Sequence, residues 1–148
     1  MLAPREIELK LDLPLDALRK LKRSLLLDGN HVPGKSVDAT SVYFDAGKLN
    51  LHKKGISLRV RQVDGRFLQT VKCNEPANGA ALSRDEWEIE INGKDLDLDA
   101  ARRTALEPLL TKKVCRALKP IFETRVHRTV YPILYDGSEI EVASTKDK

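Results

Sequence analysis

The stretch "ISLRVRQVDGRFLQTVK", residues 56–72, decides the fold class of this chain. Apolar residues alternate with polar ones on both sides of Asp64-Gly65, so that Arg59 and Arg61 share one side of the first run. Strict alternation is the period of a β-strand with one apolar face. An Asp-Gly pair between two such runs is typical of a two-residue hairpin turn. The stretch therefore predicts two antiparallel strands with one apolar and one charged face.

Further strands of the same pattern lie on both sides of this hairpin. They are "REIELKLDL" (5–13), "SVYFDAG" (41–47), "SRDEWEIEIN" (83–92), "IFETRVHRTVYPIL" (121–134) and "SEIEVA" (138–143). Helical spacing predicts one helix within residues 13–29 and a second within residues 95–110, capped by Asp97 or Asp99. Asp136-Gly137 predicts the turn between the last two strands. Together these elements predict an antiparallel α+β domain dominated by strands.

Composition limits the class of protein further. At 148 residues the chain fits a single domain, residues 1–148. Cys73 and Cys115 are the only cysteines and form no CxxC, which argues against a disulfide framework or a zinc finger and favours the cytoplasm. The net charge of +4 favours an anionic partner only weakly, and seven aromatic residues are few for a nucleic-acid platform. Nucleic acid is therefore not an expected partner. No 18 apolar residues run together, so a membrane is not expected either.

The charged sides of the predicted strands carry like charges in pairs. The pairs are Glu6 and Glu8, Arg59 and Arg61, Glu86 and Glu88, and Glu139 and Glu141, with Arg84 in step with Glu86. For any single strand, one wet face of an open sheet is the ordinary explanation. Like charges on one side of a strand repel, however, and an anion between arginines or a divalent cation between glutamates relieves that repulsion. If the sheet curves or closes, its lumen would suit a polyphosphate chain.

Several of these segments resemble the motifs of one family. Residues 6–10, Glu-Ile-Glu-Leu-Lys, resemble the ExExK signature of the CYTH domains, also called triphosphate tunnel metalloenzymes. The later motifs follow in the family order: "YFDAGKLNLHKKGISLRVR" (43–61), "TVK" (70–72), "SRDEWE" (83–88), "TRVHRTVY" (124–131) and "SEIEVA" (138–143). The resemblance covers essentially the whole chain. "RDEWE" is similar to the bacterial branch, in which a CHAD domain often follows the CYTH domain.

The resemblance implies an antiparallel β-tunnel with flanking helices that binds triphosphate or polyphosphate with Mg²⁺ or Mn²⁺. The implied catalytic residues are Glu6, Glu8 and Lys10. The implied metal ligands are Glu6, Glu8, Glu139 and Glu141, and Glu86 and Glu88 would form the acidic wall. The implied phosphate-binding residues are Lys10, Arg59, Arg61, Lys72, Arg84 and Arg125.

The match to the family pattern weakens after the last predicted strand. Thr145 stands where the family has an aspartate, and the family continues with a further strand that closes the tunnel. The resemblance therefore implies a C-terminally short domain with an incomplete edge, through which a homodimer could form. The leading prediction is metal-dependent hydrolysis of inorganic triphosphate or of a substrate that carries a triphosphate. The alternatives are a non-catalytic polyphosphate-binding module and an adenylate cyclase.

Two conspicuous side chains are predicted to have structural roles. Trp87 alternates with the glutamates of its strand, so it is expected to pack against the core under a helix. Cys73 has no histidine partner in the sequence around it and is expected to be a packed thiol rather than a nucleophile.

Overall fold

The computed structural model describes residues 5–24, 34–74 and 81–147. Its strands are β1 (Arg5–Leu9), β2 (Lys35–Asp45), β3 (Ile56–Val63), β4 (Arg66–Asn74), β5 (Ala81–Ile91), β6 (Lys119–Tyr135) and β7 (Ser138–Asp147). Its helices are α1 (Leu15–Lys22), α2 (Leu98–Ala101) and α3 (Lys112–Ala117), with 3-10 turns at His52–Lys54 and Glu107–Leu109. No helix in these ranges is long and apolar enough to cross a membrane.

The strands form one sheet in the order β1-β5-β4-β3-β2-β6-β7. The pairs β1–β5, β5–β4, β4–β3, β3–β2 and β6–β7 are antiparallel. Asp64 and Gly65 have φ of 50° and 74°, and Asp136 and Gly137 have φ of 47° and 74°, as the two central residues of a type I′ turn require. Both predicted hairpins and the antiparallel α+β class are confirmed.

The chain divides into two compact units. The first consists of residues 1–10 and 39–125, and the second of residues 11–38 and 126–148. Strands β3, β4 and β5 belong wholly to the first unit, and β7 to the second.

The core of the first unit lies against one face of β3, β4 and β5. Its buried cluster consists of Leu51, Leu58, Val71, Ala101, Leu106 and Leu110. Leu58 and Val71 are direct partners across β3 and β4, and α2 with the turns after it covers them. Trp87 is directly opposite Val71 on β5 and packs against the cluster, as predicted.

Gln69 attaches the start of α2 to the sheet. Its side chain, 2% exposed, donates to the Asp97 carbonyl and accepts from the Asp97 N–H, both at 2.9 Å. The Asp97 carboxylate accepts from the Ala100 N–H at 2.8 Å, so Asp97 is the helix cap. The cap follows from the sequence pattern, whereas the role of Gln69 does not.

The helix predicted within residues 95–110 is present, but it is much shorter than that segment. Helix α2 ends at Ala101, and a turn and the 3-10 segment Glu107–Leu109 replace its continuation. The Thr104 hydroxyl donates to the Ala101 carbonyl at 2.7 Å and accepts from the Leu106 N–H at 3.2 Å. A side chain that competes in this way for backbone groups favours a turn over a helix.

Asp45 organises the loop between β2 and β3. The carboxylate, in a residue 2% exposed, accepts from the N–H groups of Ala46 at 2.6 Å, Leu51 at 2.9 Å and His52 at 3.0 Å. These bonds close the loop at both ends, so the aspartate of the "YFD" motif sets the position at which β3 begins.

The apolar side of β1 is less covered than its alternation predicts. Ile7 is 77% exposed and Leu9 is 60% exposed. The buried cluster draws on the β2–β3 loop, β3, β4 and the segments after β5, and among the described residues it contains none of β1. The strand pairs with β5 alone in the part of the chain that the structure describes.

The second unit contains α1, the start of β2 and the β6–β7 hairpin. The Ser36 and Thr129 hydroxyls are 2.9 Å apart, and the ring of Tyr131 leaves no room for a Cβ on Gly34. These contacts hold the start of β2 beside β6. The predicted helix within residues 13–29 is observed as α1, and residues 25–33 lie outside the described part.

Candidate functional site

The strand register of the first unit collects charged residues on one face. Residues directly opposite each other in an antiparallel pair share a face of the sheet. The polar face, opposite the core, consists of Glu8 on β1, Glu86, Glu88 and Glu90 on β5, Thr70 and Lys72 on β4, Ser57, Arg59 and Arg61 on β3, and Ser41 and Tyr43 on β2. Five neighbouring strands contribute to it, so residues far apart in sequence become neighbours.

Arg59 is the member of the polar face with an unsatisfied donor. Its Nε is buried and has no hydrogen-bond partner within the described ranges. A buried N–H without an acceptor costs about 1–3 kcal/mol. An anion is one group that would supply the missing acceptor.

The other basic residues of this face have polar partners. Arg61 donates from Nε to the Ser41 hydroxyl at 3.1 Å. The Lys72 ammonium lies 2.8 Å from the Glu86 carboxylate, and the two side chains are 13% and 18% exposed. These contacts hold two cationic side chains beside Arg59, which occupies the same face of the same hairpin.

The acidic side of the polar face lies on β5. Glu88 accepts from the Thr70 hydroxyl at 3.3 Å. Glu90 binds Arg66 near the hairpin turn, and this hydrogen bond lowers the pKa of the Glu90 carboxyl and raises the pKa of Arg66. The structure thus places the expected acidic wall, Glu86 and Glu88, next to the strand that carries Lys72.

The first-strand residues are placed by register. Glu6 is aligned with Arg84 across β1 and β5, and the side chains of both lie outside the described part. Glu8 is half-buried on the polar face, whereas Lys10 lies beyond the end of β1 and is exposed. Among the side chains that the structure describes, no three from His, Cys, Asp and Glu form a group that could hold a metal.

Arg125 does not join the polar face. The Phe122 ring stacks on Tyr43, so Phe122 lies on the side of β6 that continues this face. Arg125 is three residues further along, hence on the opposite side, and its Nε donates to Glu123 at 2.7 Å. Its side chain is 69% exposed. The motif "TRVHR" alone does not reveal this difference.

The late charged residues form their own arrangement in the second unit. Glu139 and Glu141 share one side of β7, and both are exposed. Arg128 donates from Nη2 to Glu141 at 2.9 Å, while its buried Nε has no partner within the described residues. Thr145, which stands where an aspartate is expected, lies directly across from Arg128.

Tyr43 and Phe122 form an aromatic pair that the strand patterns do not predict. Their ring centroids are 4.4 Å apart and their planes differ by 15°. Phe122 is 52% exposed. In the sequence, the pair is indicated only by the position of Tyr43 on the polar side of β2. That position becomes informative once the structure shows that Tyr43 lies opposite Arg59.

The sequence and the fold both match known proteins. The CYTH domain model matches residues 4–147. The inorganic triphosphatase of Haemophilus influenzae is 31% identical over 108 residues, which are 73% of this chain and 30% of that protein. The chain therefore matches only about 30% of the length of this curated relative.

Two solved structures share the fold. A candidate adenylyl cyclase from Hippeastrum, described as having a dominant triphosphatase activity, superposes with a TM-score of 0.67 at 16% identity over 96% of this chain and 71% of its own. A candidate adenylate cyclase from Bacillus halodurans gives 0.54 at 15% identity over 97% of this chain and 73% of its own. At these identities the likeness shows the fold, and the expected CYTH-like sheet is confirmed.

Proposed function

Because this chain belongs to the CYTH domain family, we propose that it hydrolyses inorganic triphosphate or a substrate that carries a triphosphate, with the phosphates bound on the polar face. Its Haemophilus influenzae relative is an inorganic triphosphatase. The observation that carries the proposal is the buried Nε of Arg59, which has no partner in the described part of the chain and lies on one face with Arg61 and Lys72.

Phosphate oxygens match these donors chemically. Arginine presents a planar fork of N–H groups to phosphate, and lysine adds a compact charge. In our proposal Arg59, Arg61 and Lys72 hold the phosphate chain, and Lys10 and Arg84 remain phosphate-binding residues implied by the family resemblance. Hydrolysis of an anhydride then depends mostly on positioning and charge neutralisation. A thiol nucleophile is not part of it, since Cys73 lies on the core face of β4.

The proposed cofactor is Mg²⁺ or Mn²⁺. Carboxylate oxygens are the donors that these ions prefer, and Glu8, half-buried on the polar face, is such a donor. Glu8 would be one ligand of the ion, which when bound neutralises phosphate charge and activates water. Glu6, Glu139 and Glu141 remain metal ligands implied by the family resemblance. The side chains of the polar face would align the phosphates beside Glu86 and Glu88 on β5.

Binding without turnover is the second candidate function. Thr145 lies opposite Arg128, and a threonine hydroxyl cannot replace a carboxylate as a strong metal ligand or base. A cytoplasmic location remains a prediction from the cysteine content, and a CHAD partner domain and a homodimer remain predictions of the family resemblance.

The test measures binding of tripolyphosphate and release of orthophosphate, with Mg²⁺, with Mn²⁺ and with a chelator. We expect metal-dependent release, and an Arg59→Ala variant should bind about 10- to 100-fold more weakly, as expected for the loss of a hydrogen bond to a charged group. Because the Arg59 Nε has no partner in the described ranges, this variant should keep the thermal stability of the parent.

Arg116→Ala is the matched control, since Arg116 is an exposed arginine on α3. It should leave binding and release unchanged. Tight binding with no orthophosphate release in either metal would select the binding module. Absence of binding, or equal effects of the two arginine variants, would contradict the placement of the phosphates.

A further inference from the structure

The Tyr43–Phe122 stack continues a row of side chains across the first unit. Direct register partners place Glu88, Thr70, Arg59 and Tyr43 on four successive strands. Phe122 follows on β6, its ring stacked on Tyr43. The row therefore passes from a carboxylate through a hydroxyl and a guanidinium to two aromatic rings.

Phe122 is unusually open for a phenyl ring. It is 52% exposed although one side of the ring is stacked on Tyr43. An exposed apolar ring gains nothing from the hydrophobic effect until another group covers it. Tyr43, on which Phe122 stacks, is the direct register partner of Arg59, whose buried Nε has no partner within the described residues.

The distance between Arg59 and the Phe122 ring suits a single ligand that contacts both. Neighbouring strands lie about 4.8 Å apart, so Phe122 is two strands, or roughly 10 Å, from Arg59. A phosphate chain bound at Arg59 and a planar ring on Phe122 are then separated by the length of a short linker such as a sugar. Inorganic triphosphate would leave the aromatic pair uncovered.

We propose that Tyr43 and Phe122 form a ring-binding platform, which makes the polar face prefer a triphosphate that carries a planar aromatic ring over inorganic triphosphate. This inference rests on the proposed binding of triphosphates. The class of ligand includes nucleoside triphosphates. Every base has a flat aromatic face, so stacking on an aromatic side chain does not depend on which base is present.

The experiment compares hydrolysis-resistant ligands by calorimetric titration in Mg²⁺. The probes are imido-linked ATP, an imido-linked ribose triphosphate without the base, and imido-linked tripolyphosphate. The parent protein should bind the ATP analogue most tightly. In Phe122→Ala, affinity for the ATP analogue should fall by about 5- to 150-fold, the usual range for loss of one stacked base. Affinity for the two probes without a ring should stay the same.

Phe122→Leu keeps an apolar side chain, removes the ring, and guards against a folding defect. Tyr135→Leu is the control, since Tyr135 is another aromatic residue at 63% exposure, near the turn of the β6–β7 hairpin. It should change no affinity. Equal loss for all three probes in the Phe122 variants, or equal affinity of the parent for the three probes, would overturn the platform while leaving triphosphate binding intact. A parent that binds none of the probes would overturn the proposed function as well.

Discussion

Asp45 and Arg59 both have polar atoms withdrawn from water, but those atoms differ in what they contact. The Asp45 carboxylate receives three backbone N–H groups of its own loop. The Arg59 Nε has no acceptor within the described ranges. Buried polar groups in native proteins are nearly always satisfied, and exceptions call for an explanation. Asp45 therefore has a structural role, whereas the unsatisfied Nε of Arg59 supports the proposed binding of phosphate there.

The structural role of Asp45 predicts a large loss of stability on truncation. In Asp45→Ala three N–H groups lose their charged acceptor, and we expect the free energy of unfolding to fall by about 3 kcal/mol. Urea denaturation measures this change. Asp99→Ala is the control, because the Asp99 side chain is 94% exposed and should cost little. Equal stability of the two variants would contradict the role of Asp45.

The position of Cys73 on the core face predicts a thiol of low reactivity. Burial, and secondarily the charge of Asp85, raises the pKa of Cys73 above its ordinary value. The protonated thiol is therefore favoured in the folded state. The stability that the protonated Cys73 thiol contributes is fully present below the pKa of an unfolded thiol. It is lost as the pH rises through the higher pKa of the folded state.

The measurement is the rate of reaction with a disulfide reagent as a function of pH, in a Cys115→Ala background. The midpoint of the folded protein should lie at higher pH than that of the same protein in urea. A folded midpoint at or below the unfolded one would show that Cys73 is an activated thiol, against the expectation.

At the scale of elements, the alternation of the strands and the turn residues act together. Asp64-Gly65 and Asp136-Gly137 both have positive φ at their two central positions, which glycine adopts freely and aspartate tolerates. A two-residue turn sets the register of its hairpin. In β3–β4 that register puts Arg59 opposite Thr70 and leaves Leu58 opposite Val71 in the core. The turn thus decides which residues share the polar face.

The attachment of α2 to β4 predicts a second stability change. Gln69→Leu keeps the volume but leaves the N–H and C=O of Asp97 without their partner, and should cost about 1–3 kcal/mol. Gln62→Leu is the matched control, because Gln62 is exposed on the neighbouring strand. Denaturant unfolding of both variants measures the difference. A Gln69 variant as stable as the Gln62 variant would show that α2 does not depend on this contact.

At the scale of the whole molecule, the distribution of charge is more informative than its sum. The net charge of +4 favours anions only weakly. The first unit places Arg59, Arg61 and Lys72 on one face with Glu86 and Glu88 beside them. A face with ordered basic and acidic strands suits a polyanion that brings a divalent cation with it. The tripolyphosphate experiment tests this arrangement directly.

Much of the fold could be predicted because strand alternation and turn chemistry are local. The two Asp-Gly hairpins, the cap at Asp97 and the packing of Trp87 follow from residues close in sequence. The break after α2 could not, because the Thr104 side chain competes with helical bonding only once the turn has formed. The exposure of Ile7 depends on the segments that cover β1, and the alternation of residues does not predict these segments.

What the sequence by itself determined is the set of candidate charged residues and the side of its own strand on which each lies. Alternation is a property of single strands, so it cannot relate one strand to the next. Only the tertiary structure decided that Arg59, Thr70 and Glu88 form one row, because this depends on inter-strand register. For the same reason it alone separated Arg125 from the polar face and brought Phe122 onto Tyr43.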